Sequence, residues 1–130
     1  MRIILTNMCM VYDDNENILA QDRVSKDWPG LTFPGGHVED NETIEQSVIR
    51  EIKEETGLTI SSVECCGTIE WLILEEEVRH VTVLYKTNKF QGTIKSSDEG
   101  KIFWINKKDI HKYKLSNDFD KILETYFKNL

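Results

Sequence analysis

The chain has 130 residues, a formal net charge of −7 and an apolar fraction of 39%. This length is sufficient for a domain with its own hydrophobic core, and we expect a single domain over residues 1–130. The acidic balance disfavours nonspecific binding to nucleic acid, because an acidic surface repels phosphates. We therefore expect no nucleic-acid partner, while composition leaves the oligomeric state open.

Neither the first residues nor the cysteines favour export. The apolar stretch from Met1 to Leu5 is interrupted by Asn7 and then by Asp13 and Asp14, which is too early for a secretory signal. Three cysteines, two of them adjacent, make no disulfide framework. We expect reduced thiols, no membrane association and a cytoplasmic location.

Short strands and turns are predicted for the first third of the chain. Aliphatic and sulfur-rich runs predict strands at residues 2–12, 18–21 and 31–33, and the turn at 13–15 predicts that the first two form a hairpin. Arg23 follows the second strand, and a polar loop then carries Trp28. The third strand leads into Gly35 and Gly36, where glycine permits close approach of the backbone to a ligand.

A helix is predicted from about Glu42 to Gly57. Asn41 is a suitable N-cap, and Gly57 is suited to the left-handed conformation that ends many helices. The isoleucines and Val48 of this segment fall within an arc of about 140°. That apolar stripe is expected to pack on a sheet and to hold the neighbouring acidic residues rigidly.

Three glutamates crowd the end of this helix. Glu51, Glu54 and Glu55 are spaced i, i+3 and i+4, so they share one face, and each is disfavoured there by about 0.3–1 kcal/mol because the helix dipole is negative. Arg50 and Lys53 relieve this repulsion only in part. One interpretation is a solvated charged face; the other is a site for Mg²⁺ or Mn²⁺, which prefer such hard oxygen ligands.

Strands dominate the rest of the chain until a terminal helix. The predicted elements are an interrupted strand at 58–74, an acidic turn at 75–77, a strand at 78–85, a polar loop at 90–100, a strand at 102–105, a short helix or turn at 107–113 and an amphipathic helix at 117–130. His80 in the alternating strand is interpreted as structural. Strands with two main helices predict an α+β domain.

The spacing of the glutamates within a longer segment resembles a known signature. Gly36 is followed after five residues by Glu42, after seven more by Arg50-Glu51, and then by Ile52, Glu54-Glu55 and Gly57-Leu58. This pattern matches the signature of the Nudix hydrolase family at every fixed position, which by chance occurs on the order of 10⁻⁸ of the time. The chain is identified as a member on these residues, which make up about a sixth of it.

The resemblance implies a fold and a chemistry. The implied fold is a mixed, curved β-sheet sandwiched between α-helices, and the implied reaction is attack of water on phosphorus in a nucleoside diphosphate derivative. Magnesium, with manganese as an alternative, would be held by Glu51, Glu54, Glu55 and the Gly35 carbonyl. Either Glu54 or Glu51 would be the base, and Arg50 would hold a neighbouring glutamate in place.

A further carboxylate is expected in the loop before the last strand. Asp98-Glu99-Gly100 precedes Trp104 at a spacing similar to the loop of MutT-like members of the family. The resemblance implies that Glu99 is a further metal ligand or base. The alternative is an ordinary acidic loop residue.

Substrate identity lies outside the signature. The stretch from Trp28 to Glu39 is similar to MutT-like 8-oxo-dGTP diphosphatases, which implies a nucleoside triphosphate as the small-molecule partner. Arg23 is a candidate for a phosphate contact, Trp28 for stacking on a base, and Asn117 for a purine edge, although Asn117 also suits a helix N-cap. Alternatives are a nucleotide sugar or dinucleoside polyphosphate as substrate, or a module that binds nucleotides without turnover.

Overall fold

The alternating pattern of the chain is realised in nine strands and two α-helices in a computed structural model that describes residues 1–24 and 29–128. The strands are β1 (Arg2–Val11), β2 (Asn17–Arg23), β3 (Gly30–Thr32), β4 (Gly35–His37), β5 (Thr59–Ile60), β6 (Glu64–Ile73), β7 (Val78–Thr87), β8 (Phe90–Gln91) and β9 (Gly100–Asn106). The helices are α1 (Ile44–Thr56) and α2 (Phe119–Lys128), with 3₁₀ turns at Leu74–Glu76 and Lys107–Lys112. None of the described helices is long and apolar enough to cross a membrane. The expected α+β class is confirmed.

The described strands form a mixed four-stranded sheet in the order β4-β1-β7-β6, a three-stranded antiparallel sheet in the order β3-β2-β9, and the pair β5-β8. The predicted turn at 13–15 is present and closes with an antiparallel bridge between Tyr12 and Ile18 and a hydrogen bond from the Asp13 N–H to the Asn17 carbonyl. The predicted hairpin does not extend further, because β1 and β2 belong to different sheets. Strand β1 has β4 on one side and a ten-residue parallel register with β7 on the other. Both of its edges are therefore occupied.

The two helices cover opposite faces of the mixed sheet. Side chains alternate between the faces of a strand, so Cys9 and Val11 of β1 pack in one core cluster with Val48 of α1. Met10, which lies between them, packs in a second cluster with Tyr126 of α2. This arrangement is the predicted sandwich, and it buries the apolar stripe of α1 as expected.

The boundaries of α1 differ from the prediction at the start and agree at the end. The N-cap is Thr43, whose hydroxyl accepts a hydrogen bond from the backbone N–H of Gln46, while the Gln46 side chain accepts from Thr43 in return. Asn41 is therefore not the cap, because the reciprocal pair satisfies two N–H groups that a lone Asn would not. Gly57 ends the helix with a φ of 85°, as predicted.

Helix α2 begins at Phe119 rather than at Asn117. Asp118 immediately precedes the helix with a φ of 63°, so the N-cap alternative for Asn117 is wrong.

Candidate active site

Arg50 gathers the acidic side chains along one edge of α1. Its guanidinium donates two hydrogen bonds to the Glu42 carboxylate, at 2.7 and 3.0 Å, and one each to Glu51 at 2.9 Å and Glu54 at 3.1 Å. It also donates to the carbonyl of His37, at 3.2 Å. Hydrogen bonds from Arg50 lower the pKa of Glu42 to about 2. Arg50 therefore fixes Glu51 and Glu54 on α1. Through Glu42 and the His37 carbonyl, it also ties the helix to the segment that precedes it.

Glu55 lies on the inner side of the same helix and is only 5% exposed. Its carboxylate accepts a hydrogen bond from the Gly35 N–H at 3.1 Å. Burial, followed by the neighbouring Glu99 carboxylate, raises the pKa of Glu55 well above its usual range. Burial also raises the pKa of Glu51, and nearby Glu54 and Glu99 act in the same direction. Like charges in a dry site disfavour ionisation, which is the electrostatic pattern that a bound cation relieves.

The β4 backbone packs directly against these carboxylates. A Cβ placed on Gly36 would lie 2.5 Å from the Glu51 carboxyl carbon, and one placed on Gly35 would lie 2.1 Å from the backbone oxygen of Asn7. Only glycine therefore permits β4 to pair with β1 and still approach α1. This is the physical reason for the Gly35-Gly36 pair that the sequence singled out.

The carboxylate oxygens of this site suit a hard divalent cation, although in the structure some of them accept hydrogen bonds from the protein. Carboxylate oxygens from Glu51, Glu55 and Glu99 come from two elements and interact with one another, as Mg²⁺ or Mn²⁺ ligands do. Across residues 1–24 and 29–128, no three His, Cys, Asp or Glu side chains already stand in a metal-holding geometry. Arg50 donates to one oxygen of Glu51, and the Gly35 N–H donates to one oxygen of Glu55. Each carboxylate has a second oxygen, so these contacts are compatible with a bound cation.

A cavity of about 580 Å³ opens beside the carboxylates. Of the residues singled out in the sequence, Arg23, Gly35, Glu51, Glu55, Glu99 and Asn117 line it. Glu54 does not; its side chain is 60% exposed and turned toward Arg50. Trp28 lies outside the described residues. The fold thus brings the proposed phosphate and base contacts, Arg23 and Asn117, to the same space as the carboxylates.

Two further lining residues were not predicted as site residues: Trp71 was not singled out in the sequence, and His80 was interpreted as structural. Trp71 and His80 form an edge-to-face pair with ring centroids 5.7 Å apart, and both line the cavity. His80 Nε2 lies 3.1 Å from the Thr6 hydroxyl, which is also 2.8 Å from the hydroxyl of Thr82. In the sequence, the alternation of β7 indicates that His80 and Thr82 share one face of the strand. It does not show that β1 and β6 lie beside β7, and so it does not predict the contacts with Thr6 and Trp71.

The cavity wall carries little positive charge. Arg23 is the sole arginine or lysine among the described residues that line it, and burial lowers the pKa of His80. Acidic residues are more numerous, namely Glu39, Glu51, Glu55, Glu99 and Asp118. A polyanionic ligand would need cations in addition to what these side chains provide.

Comparison with known proteins identifies the family. A family model described as NUDIX domain matches residues 4–126. The chain is 29% identical over 122 residues to an ADP-ribose pyrophosphatase of Methanocaldococcus jannaschii, covering 91% of this chain and 70% of that protein. It is 32% identical over 78 residues to an 8-oxo-dGTP diphosphatase of Proteus vulgaris, covering 58% and 67%.

A solved structure confirms the fold. The crystal structure of a MutT protein from Bacillus halodurans superimposes with a TM-score of 0.80 at 26% identity, covering 93% of this chain and 80% of that one. The expected mixed sheet between helices is therefore the Nudix fold. Since the family model spans nearly all of the chain, the protein belongs to the NUDIX domain family and is a Nudix hydrolase, acting on the pyrophosphate bonds of nucleotides.

Proposed function

We propose that the protein is a magnesium-dependent pyrophosphohydrolase of nucleoside triphosphates, with 8-oxo-dGTP as the first candidate substrate. The products would be 8-oxo-dGMP and pyrophosphate, which would clear oxidised guanine nucleotides from the pool. The supporting observation is that Glu51, Glu55 and Glu99 share one cavity of about 580 Å³ with Arg23 and Asn117. In this proposal the carboxylates would bind cations, and the polar side chains of the same cavity would contact the nucleoside.

The metal site would be built by this chain's own oxygens. Glu51, Glu55, Glu99 and the Gly35 carbonyl would hold Mg²⁺, or Mn²⁺ in its place, with Glu54 as a further ligand. When bound, the cation would neutralise phosphate charge and polarise the attacking water. The water oxygen forms the new bond to phosphorus, the bond to the leaving phosphate oxygen breaks, and the water proton passes to a carboxylate.

Of the two candidate bases, the geometry favours Glu51. Its carboxylate lines the cavity, whereas Glu54 lies outside it and is largely exposed. A general base must reach the proton it removes within hydrogen-bond distance or through one water. Arg50 contacts both carboxylates and is always charged, so it would position the base and would not accept the proton.

The base-recognition end supports a purine. Asn117 offers both a donor and an acceptor, and Asp118 beside it offers acceptors at the same cavity wall. Trp71 and His80 supply aromatic rings to the same cavity, on which a base could stack. These donors and acceptors could pair with the edge of guanine and with an 8-oxo group.

ADP-ribose is the second candidate. The Methanocaldococcus jannaschii relative named for that activity matches 91% of this chain, a larger share than the 8-oxo-dGTP diphosphatase of Proteus vulgaris. Both substrates contain a phosphoanhydride linked to a nucleoside. This shared part would meet the same carboxylates and Arg23 in either substrate.

A hydrolysis panel with product identification tests the proposal. Purified protein with Mg²⁺ is given 8-oxo-dGTP, the common triphosphates, ADP-ribose, a nucleotide sugar and a dinucleoside polyphosphate. Pyrophosphate with 8-oxo-dGMP, at the highest kcat/KM of the panel, is the expected result. AMP with ribose phosphate would establish the second candidate instead, and binding without turnover of any compound would identify a nucleotide-binding module.

A further inference from the structure

A buried amide without a partner faces the cavity. Gln21 on β2 is 3% exposed and lines the cavity wall. Its Nε2 has no hydrogen-bond partner among the residues that the structure describes. A buried donor left in this state costs about 1–3 kcal/mol. A ligand that brings an acceptor to this wall would remove that cost.

The other buried amide of the cavity wall is already committed. Asn7 is also 3% exposed, but its Nδ2 donates to the Ser47 hydroxyl at 2.7 Å and its Oδ1 accepts from the Gly36 N–H at 3.3 Å. Asn7 therefore joins β1, β4 and α1. Gln21 makes no comparable bridge through its Nε2, which distinguishes a donor held for a ligand from a structural amide.

The position of Gln21 indicates which acceptor it would meet. Residues two apart on a strand point to the same face, so Gln21 lies beside Arg23, and both line the cavity. Arg23 pairs with Gly100 across β2 and β9, which places the following end of β2 next to Glu99. Gln21 thus lies near the cationic and acidic end of the cavity, where a phosphate chain bound to cations would run.

We propose that Gln21 is a phosphate-binding residue, whose Nε2–H donates to a non-bridging oxygen of the substrate's phosphate chain beside Arg23. A neutral donor suits this place, because it binds phosphate without adding a positive charge that would compete with cations for the carboxylates. The proposal rests on the proposed function only in requiring a nucleoside diphosphate unit. That unit is common to triphosphates and ADP-ribose.

The test compares Gln21→Leu with Gln91→Leu, a matched change at an exposed position on β8. Tm is measured without ligand, and Kd is measured with Mg²⁺ for α,β-methylene analogues of ADP, GDP, CDP and UDP, which resist hydrolysis. Gln21→Leu is expected to keep or raise Tm and to raise Kd about 10- to 100-fold, the usual loss for a hydrogen bond to a charged group. The increase should be equal for all four bases, and Gln91→Leu should change neither quantity.

Other outcomes overturn the assignment. A loss confined to one base would make Gln21 a base-reading residue, and a lower Tm with unchanged Kd would make its role structural. If Gln21→Leu does not fold, Gln21→Met, which keeps the unbranched shape, takes its place. A wild-type protein that binds the analogues but cleaves no triphosphate would refute the proposed function and leave this test intact; one that binds no analogue would refute the phosphate contact.

Discussion

The two edges of α1 both carry glutamates, but the glutamates differ in burial and in whether an arginine pairs with them. On the outer edge, Glu54 of α1 and Glu42, which immediately precedes the N-cap, are both paired with Arg50, at 3.1 and 2.7 Å. On the inner edge, Glu55 is 5% exposed, accepts one backbone hydrogen bond and is crowded by Glu99. The outer group is balanced by an arginine within the fold. Within residues 1–24 and 29–128, no arginine or lysine pairs with the inner group, and this difference is the basis for proposing that the inner group serves a ligand.

Glu51 lies between the two groups and belongs to both. It accepts a hydrogen bond from Arg50 at 2.9 Å and also lines the cavity. Burial raises its pKa while Arg50 acts to lower it. A carboxylate held by an arginine on one side and open to substrate on the other has the placement expected of a general base.

The strongest test of this division replaces one carboxylate on each side. Glu51→Gln should lower kcat by about 10²–10⁴-fold, the usual contribution of a general base. Glu54→Gln should also lower turnover, by a smaller factor, because Glu54 lies outside the cavity and loses an ion pair with Arg50. Steady-state kinetics of both variants on the best substrate of the panel measures the ratio.

Circular dichroism and Tm serve as the control for these variants, since glutamine keeps nearly the same volume as glutamate. A loss in Glu54→Gln equal to or greater than that in Glu51→Gln would contradict the assignment of the inner edge as the reactive one. Wild-type rates in both would remove the motif from the chemistry altogether.

A magnesium titration probes the unbalanced charge directly. Cations that bind the folded chain only should raise its stability, by about 2.7 kcal/mol at a concentration 100 times Kd. Tm is followed with increasing MgCl₂, and with choline chloride at matched ionic strength as the control. An unchanged Tm, together with unchanged turnover, would mean that the inner carboxylates do not bind the metal.

The sequence predicted the charged face of α1 but could not show which of its glutamates face the cavity and which face outward. Spacing places Glu51, Glu54 and Glu55 on one side of a helix, and it equally permits all three to face the cavity. The division is decided by Arg50, which draws Glu54 outward, and by β4, whose Gly35 N–H meets Glu55. Both contacts depend on how the chain before the helix folds back, which helical periodicity does not describe.

Contacts between residues that are far apart in the chain are even harder to predict from the sequence. Arg23 and Asn117 were chosen as substrate contacts on general grounds, and only the packing of β2 and the start of α2 brings them to one cavity. Gln21 was not singled out in the sequence, because nothing local distinguishes a buried amide from a solvated one. The helix stop at Gly57 was predictable, since it depends on the conformational freedom of that residue alone.

Removing a carboxylate from the inner edge and removing one from the outer edge should change the stability of the protein in opposite directions. Without divalent ions, Glu55→Gln should raise the free energy of unfolding at neutral pH, by about 1 kcal/mol or more. Burial and Glu99 raise the pKa of Glu55, so folding must either keep a charge in this crowded site or take up a proton, and glutamine avoids both costs. Its amide can also donate to Glu99. Glu54→Gln should lower stability by about 1 kcal/mol or less, as expected for an exposed ion pair. Urea denaturation at neutral pH measures both, and a destabilised Glu55→Gln would show that its carboxylate is a structural group.

The smallest expected effect concerns Glu42, on the balanced outer edge. Its pKa of about 2 in the folded protein lies below the ordinary value of about 4.3, so ionised Glu42 stabilises the fold above that ordinary value, and its contribution is lost as the pH falls toward 2. Glu42→Gln should therefore lower the urea midpoint at pH 7, and the difference from wild type should narrow between about pH 4.3 and 2. Glu39→Gln is the matched control, because Glu39 lies 3.7 Å from Arg50 with a 69% exposed side chain. A difference that persisted unchanged to pH 2 would mean that Glu42 acts through its shape, and the outer edge would not be balanced by charge.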